Sequence, residues 1–106
     1  MPDFMNILKQ AQEMQGRFQK IQDELQQMTV TGSSGGGMVI AEVTGTGQLK
    51  KLKVDPSVVN PADIEMLEDL VTAAISDAQA KAQTMAQDEM GKLTGGLNLP
   101  FKLPFG

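Results

Sequence analysis

The chain has no cysteine, histidine, tryptophan or tyrosine, and only four phenylalanines in 106 residues. Each absence removes a class of chemistry. Without Cys there is no disulfide framework, no thiolate nucleophile and no thiolate metal site. Without His there is no imidazole base, which excludes Ser-His-Asp catalysis and most zinc sites. Catalysis would have to rest on carboxylates, lysines or hydroxyls alone. The expectation is therefore a protein that is not an enzyme, with no cofactor, no metal and no small-molecule substrate. Long apolar runs are missing too: Leu70 to Ile75, the longest, is broken by Thr72 and falls far short of a bilayer span. The opening MPDFMNILKQAQ has an early acid and lacks the order of a signal peptide. A soluble, intracellular protein with no membrane partner is expected.

What is present divides the chain by period. Phe4, Ile7, Ala11, Met14, Phe18, Ile21, Leu25 and Met28 recur at alternating spacings of three and four. That is an a/d heptad, the pattern of a helix packed along its length on another helix. It predicts a helix from about Asp3 to Met28, with glutamines on the outer face and Gly16 pointing to solvent. Thr29-Val30-Thr31 is β-branched, and Gly32 to Gly37 reads as a hairpin loop. Met38 to Thr44 alternates as a strand, Gly45-Thr46-Gly47 turns the chain, and Gln48 to Val54 returns. Met38 and Ile40 oppose Val39, Ala41 and Val43, so both faces of this strand are apolar. One helical layer covers only one face, and the other implies a dimer. Asn60 and Pro61 read as the cap and first position of a second helix that runs to about Leu93. The layout is α+β: a long N-terminal helix, a small three-stranded antiparallel sheet and a long C-terminal helix. A single domain spans 1–96, followed by a flexible or partner-docked tail at 97–106.

Several patches invite a functional reading that a plainer one answers. The Gly32–Gly37 run lacks the Gly-Lys-Ser/Thr ending of a phosphate-cradling loop. Asp63, Glu65, Glu68 and Asp69 lack EF-hand spacing and sit where a helix start favours negative charge. Phe4 and Phe18 could stack on bases, but their register makes them core, which favours duplex over single-stranded nucleic acid. The charge is uneven. Residues 1–54 hold six bases against five acids, a balance of +1; residues 55–106 hold three against eight, a balance of −5. On the first helix Lys9, Arg17 and Lys20 lie off the a/d seam. In the hairpin Lys51 and Lys53 share a face, and Lys50 is expected to point the other way. With nine bases, thirteen acids and a net charge of −4, charge alone argues weakly for nucleic acid.

The pieces together resemble a family. Lys9-Gln10-Ala11-Gln12-Glu13-Met14-Gln15 is similar to the opening helix of the YbaB/EbfC family of bacterial nucleoid-associated proteins. Val30-Thr31-Gly32, Leu52-Lys53-Val54-Asp55-Pro56-Ser57, the stretch from Glu65 to Ala74, and Leu99 to Phe105 match the same family in the same order. The resemblance implies a tweezer-shaped homodimer joined at the sheet. It also implies double-stranded DNA binding with loose sequence preference in the cytoplasm and nucleoid, with roles in nucleoid organisation and gene regulation. It assigns no DNA contacts, because the matching motifs are turns and core. From charge and register, the candidate DNA-binding residues are Lys9, Arg17 and Lys20 first, with Lys50, Lys51 and Lys53 as a second patch. The rival reading is a helical adaptor or chaperone-like clamp whose Met-rich helices hold a protein partner. A carboxylate-dependent hydrolase is weaker still, since acids at helix-cap positions do not define a catalytic pair.

Overall fold

The computed structural model describes residues 3–95, with side chains through residue 92. The tail expected at 97–106 lies outside the described residues. The elements are α1 (Asp3–Gln27), β1 (Thr29–Ser34), β2 (Val39–Thr44), β3 (Leu49–Val54) and α2 (Ile64–Gly95), with single 3-10 turns at Gly35–Gly37 and Pro56–Val58. The three strands form one antiparallel sheet in the order β1-β2-β3. This is the α+β architecture that the sequence predicts, two long helices with a small antiparallel sheet between them. Among the described residues no helix is long and apolar enough to cross a membrane.

Alternation along β2 sets the two faces of the sheet. Val39, Ala41 and Val43 are fully buried and pack on Ala74, Ala78 and Ala82 of α2, one residue per turn along that helix. Small side chains on α2 let the helix lie close, and Gly32 of β1 lets it lie closer. The strand β1 therefore runs on through Gly32, Ser33 and Ser34, and the expected six-residue loop shrinks to Gly35–Gly37. Those three glycines all take positive φ, which other L-residues rarely adopt. Ser34 turns inward and its hydroxyl donates to the Leu70 carbonyl at 2.6 Å, tying the strand end to α2.

The start of α2 also differs from expectation. Asn60 does not cap the helix; its side chain accepts from the Ala62 amide, and Asp63 N–H donates to the Asn60 carbonyl, which closes a turn around Pro61. Asp63 is the cap, its carboxylate accepting from the Met66 amide at 3.1 Å. A cap must reach the N–H two or three residues ahead, and only Asp63 stands at that distance from the first free amides.

The largest departure is in α1. Leu25 is fully buried, and its carbonyl accepts from the amides of Met28 and Gly45, which pins the helix end to the β2–β3 turn. Phe4, Ile7 and Phe18, read as core, are 65%, 60% and 47% exposed. The physical reason is that α2 packs chiefly on β1 and β2 and touches α1 sparingly. Gln22 and Leu25 face Gln79, Gln83 and Ala86 across an open cleft of about 440 Å³, while Phe4, Ile7, Ala11 and Phe18 of the stripe are exposed and Met14, Ile21 and Met28 are half-buried.

Candidate nucleic-acid interface

The six bases singled out from sequence are all exposed, and they fall on two separate elements. At 100° per residue Lys9, Arg17 and Lys20 fall within an arc of about 80° on the side of α1 away from its apolar stripe. Glu13 and Glu24 fall inside the same arc, and Asp23 beside it. This face of α1 is mixed, three bases among three acids spread along the helix. Asp23 accepts a hydrogen bond from the Gln19 side-chain amide, which leaves its charge in place.

The sheet treats its lysines differently. Inward residues of β2 pair with inward residues of its neighbours: Val39 with Val54, Ala41 with Leu52, Val43 with Leu49 and Val30. The outward rows are then Thr29, Thr31 and Ser33 on β1, Ile40 and Glu42 on β2, and Lys51 and Lys53 on β3. A register shift between Glu42 and Val43 inserts Lys50 as an extra residue in β3. Two residues of a bulged strand oppose one on the partner, so strict alternation fails there and a side chain is re-aimed. The Lys50 ammonium reaches over β2 to donate to the Thr29 hydroxyl at 2.7 Å. Lys50 thus joins Lys51 and Lys53 on the outer face, contrary to the opposite orientation read from alternation.

Electrostatics separate the two patches further. Glu42, half-buried opposite Lys51, and Asp55, which follows Lys53 in the alternation and lines one shallow hollow with Lys53 and Ile40, set two carboxylates on this face against three ammonium groups. Among the described residues the ion pairs are Lys81–Asp77 and Lys92–Glu89, both within α2, so none of the six candidate bases is paired. The nearby acids are engaged in structure. Asp77 accepts from the Ser33 amide at 3.0 Å and from Lys81 at 3.1 Å. The Ser33 bond, then Lys81, hold its carboxyl below its ordinary value of 3.8. Asp55 accepts from the Ser57 amide at 2.8 Å, which depresses its carboxyl in the same way and fixes the turn after β3.

The sequence reading missed the hydroxyl row on β1. Thr29, Thr31 and Ser33 alternate with Val30, Gly32 and Ser34, a period of two that extends past the glycine where the loop was expected to begin.

Comparison with known proteins bears on what such a surface meets. A crystal structure of an uncharacterized protein from Helicobacter pylori has the same fold, with a TM-score of 0.76 and 22% identity over 86% of this chain and 96% of that one. A protein named nucleoid-associated protein from Gemmatimonas aurantiaca is 53% identical over 97% of this chain and 99% of its own length. Another from Paramagnetospirillum magneticum is 52% identical over 99% of this chain and all of its own. Residues 1–97 match the family model of the YbaB/EbfC DNA-binding family. The chain belongs to that DNA-binding family.

Proposed function

We propose that this member of the YbaB/EbfC DNA-binding family is a nucleoid-associated protein that binds double-stranded DNA as a homodimer. Its sequence preference is loose, its place is the cytoplasm and nucleoid, and its work is nucleoid organisation and gene regulation. One observation carries the reading: six exposed bases, none in an ion pair with a described residue, lie outside α2, while eight of the thirteen acids lie from Asp55 onward. A chain of net charge −4 approaches a polyanion only through a local surface that outweighs its global field. Lys9, Arg17, Lys20, Lys50, Lys51 and Lys53, doubled by a two-fold axis, supply that surface. Ammonium and guanidinium contacts to phosphate position a protein on duplex without reading its bases, which accounts for loose preference.

Exposed Phe4, Met5, Ile7, Leu8 and Phe18 favour a second reading, the clamp for a protein partner. In the DNA reading, a second copy of the chain covers part of this apolar surface. Fluorescence anisotropy with matched duplex and single-stranded oligonucleotides across a salt series separates the two. The DNA reading expects tighter duplex binding whose logarithm falls linearly with log salt, by about 0.9 per phosphate neutralised. No duplex binding at low salt would sink it and leave the clamp.

A further inference from the structure

We propose that the C-terminal segment Leu97–Phe105 folds back within its own protomer and covers the apolar tip of α1. That tip is the part of the stripe that α2 does not reach. Gln22 and Leu25 of α1 stand across the cleft from Gln79, Gln83 and Ala86 of α2. Beyond the cleft Met14 and Ile21 on α1, and Met85, Ala86 and Met90 on α2, are half-buried, so the two helices continue side by side in opposite directions. From Gln83, α2 runs on to Gly95, about 18 Å at 1.5 Å per residue. The same distance back from Gln22 ends near Gln10, and α1 has about two further turns, to Asp3. Phe4, Ile7 and Leu8 stand exposed on those turns.

The chain that leaves α2 at this level carries the matching chemistry. Leu97, Leu99, Phe101, Leu103 and Phe105 occupy every second position, separated by Asn98, Pro100, Lys102 and Pro104. In an extended chain that period puts all five apolar side chains on one side. Pro100 and Pro104 fix their own φ and bias Leu99 and Leu103 towards extended backbone, so little freedom is lost on docking. Leu97 to Phe101 spans about 16 Å when extended, more than the roughly 10 Å of helix from Ala11 to Phe4. Leu103 and Phe105 are then left to close over Met5, which is exposed at the helix start. A segment tethered beside the tip meets it at an effective concentration that a separate partner must match by affinity. At 100° per residue Phe4, Ile7, Leu8 and Ala11 fall within an arc of about 100°, with Lys9, Arg17 and Lys20 on the opposite side. A docked tail therefore leaves the basic face of α1 open.

The chain has no cysteine, so Lys102→Cys carries a nitroxide at one defined place, on the polar side of the alternation. In the isotope-labelled full chain the nitroxide should erase the amide signals of residues 4–11 and spare those of the sheet. Adding Leu99→Ser/Phe101→Ser/Leu103→Ser should restore them. In that triple variant without the label, amides 8–12, which close the first turns of α1, should exchange about tenfold faster than in wild type. Refolding spin-labelled chains together with isotope-labelled chains that carry no nitroxide should leave the tip signals intact. Tip signals that survive in the singly labelled chain, or that fade evenly along its whole length, overturn the proposal. So does unchanged exchange in the triple variant. Loss of the tip signals in the mixed sample assigns the tip to the tail of a second copy and overturns its placement within the protomer.

Discussion

A Cβ added at Gly32 would lie 2.2 Å from the Ala78 amide nitrogen, 2.6 Å from Ala78 Cα and 2.7 Å from the Ala74 carbonyl oxygen. All three are backbone atoms, so no rotamer change makes room and α2 must lift off β1. Gly32→Ala is expected to cost about 3 kcal/mol or more. Gly16 is its control: nothing lies within 4 Å of a Cβ there, and the position is an exposed helix interior. Gly16→Ala should stabilise by about 0.5–1 kcal/mol. Urea melts of both variants check the pair, and Gly32→Ala unfolding at the wild-type midpoint would disprove the close-approach argument. The neutral role of Gly16 was legible from its heptad position. That of Gly32 was not, since a glycine needed for close approach looks in sequence like the loop glycines beside it. Only the arrival of α2, far along the chain, distinguishes Gly32 from Gly35.

At the scale of elements, periodicity was read correctly where local residues dictate it and misread where a neighbour decides. The a/d stripe makes α1 a helix, but which residues are covered depends on where α2 runs, and α2 leaves Phe4 and Ile7 open. Likewise alternation gave the faces of β2 and of Lys51 and Lys53, while the bulge that re-aims Lys50 has no sequence mark. Asp77 is an element-level contact of this kind: it accepts from the Ser33 amide on the outer edge of β1 and so fastens α2 to the sheet. Its native carboxyl is held below 3.8. A depressed carboxylate contributes stability above its unfolded pKa and loses it as pH falls through the native value. Asp77→Asn should therefore melt below wild type near neutral pH, with the gap closing as pH drops below 3.8. Thermal melts across that range check it; a gap that persists unchanged into strong acid would show that the carboxylate charge is irrelevant there.

At the scale of the molecule, the protomer is extended and thinly cored. Its radius of gyration is 19.8 Å, with extents of 73 × 26 × 17 Å, against about 13 Å for a compact chain of this length. Among the described residues the fully buried apolar ones are Leu25, Val39, Val43 and four alanines, a small reservoir of hydrophobic stabilisation. Uncovered apolar surface continues directly from this core. Leu49 and Leu52 point to the inner face on β3, beyond the reach of α2, and remain 49% and 36% exposed. The ground for a dimer thus shifts from the Met38 and Ile40 side, where the neighbours are hydroxyls and lysines, to the inner face of β3. A second copy covering that face would make Leu52 part of an interface, and Leu52→Glu would then bury an unpaired charge at a cost of several kcal/mol. In an isolated protomer the same change at a partly exposed site would be far milder, about 0.5 kcal/mol. Sedimentation of wild type at micromolar concentration should give twice 11.4 kDa, with a melting temperature that rises with concentration. Leu52→Glu should sediment at 11.4 kDa, melt lower and bind duplex with a shallower salt slope, because it presents one set of bases instead of two. A folded wild-type monomer whose melting is independent of concentration would refute the dimer, and a mild Leu52→Glu that stays dimeric would place its interface elsewhere.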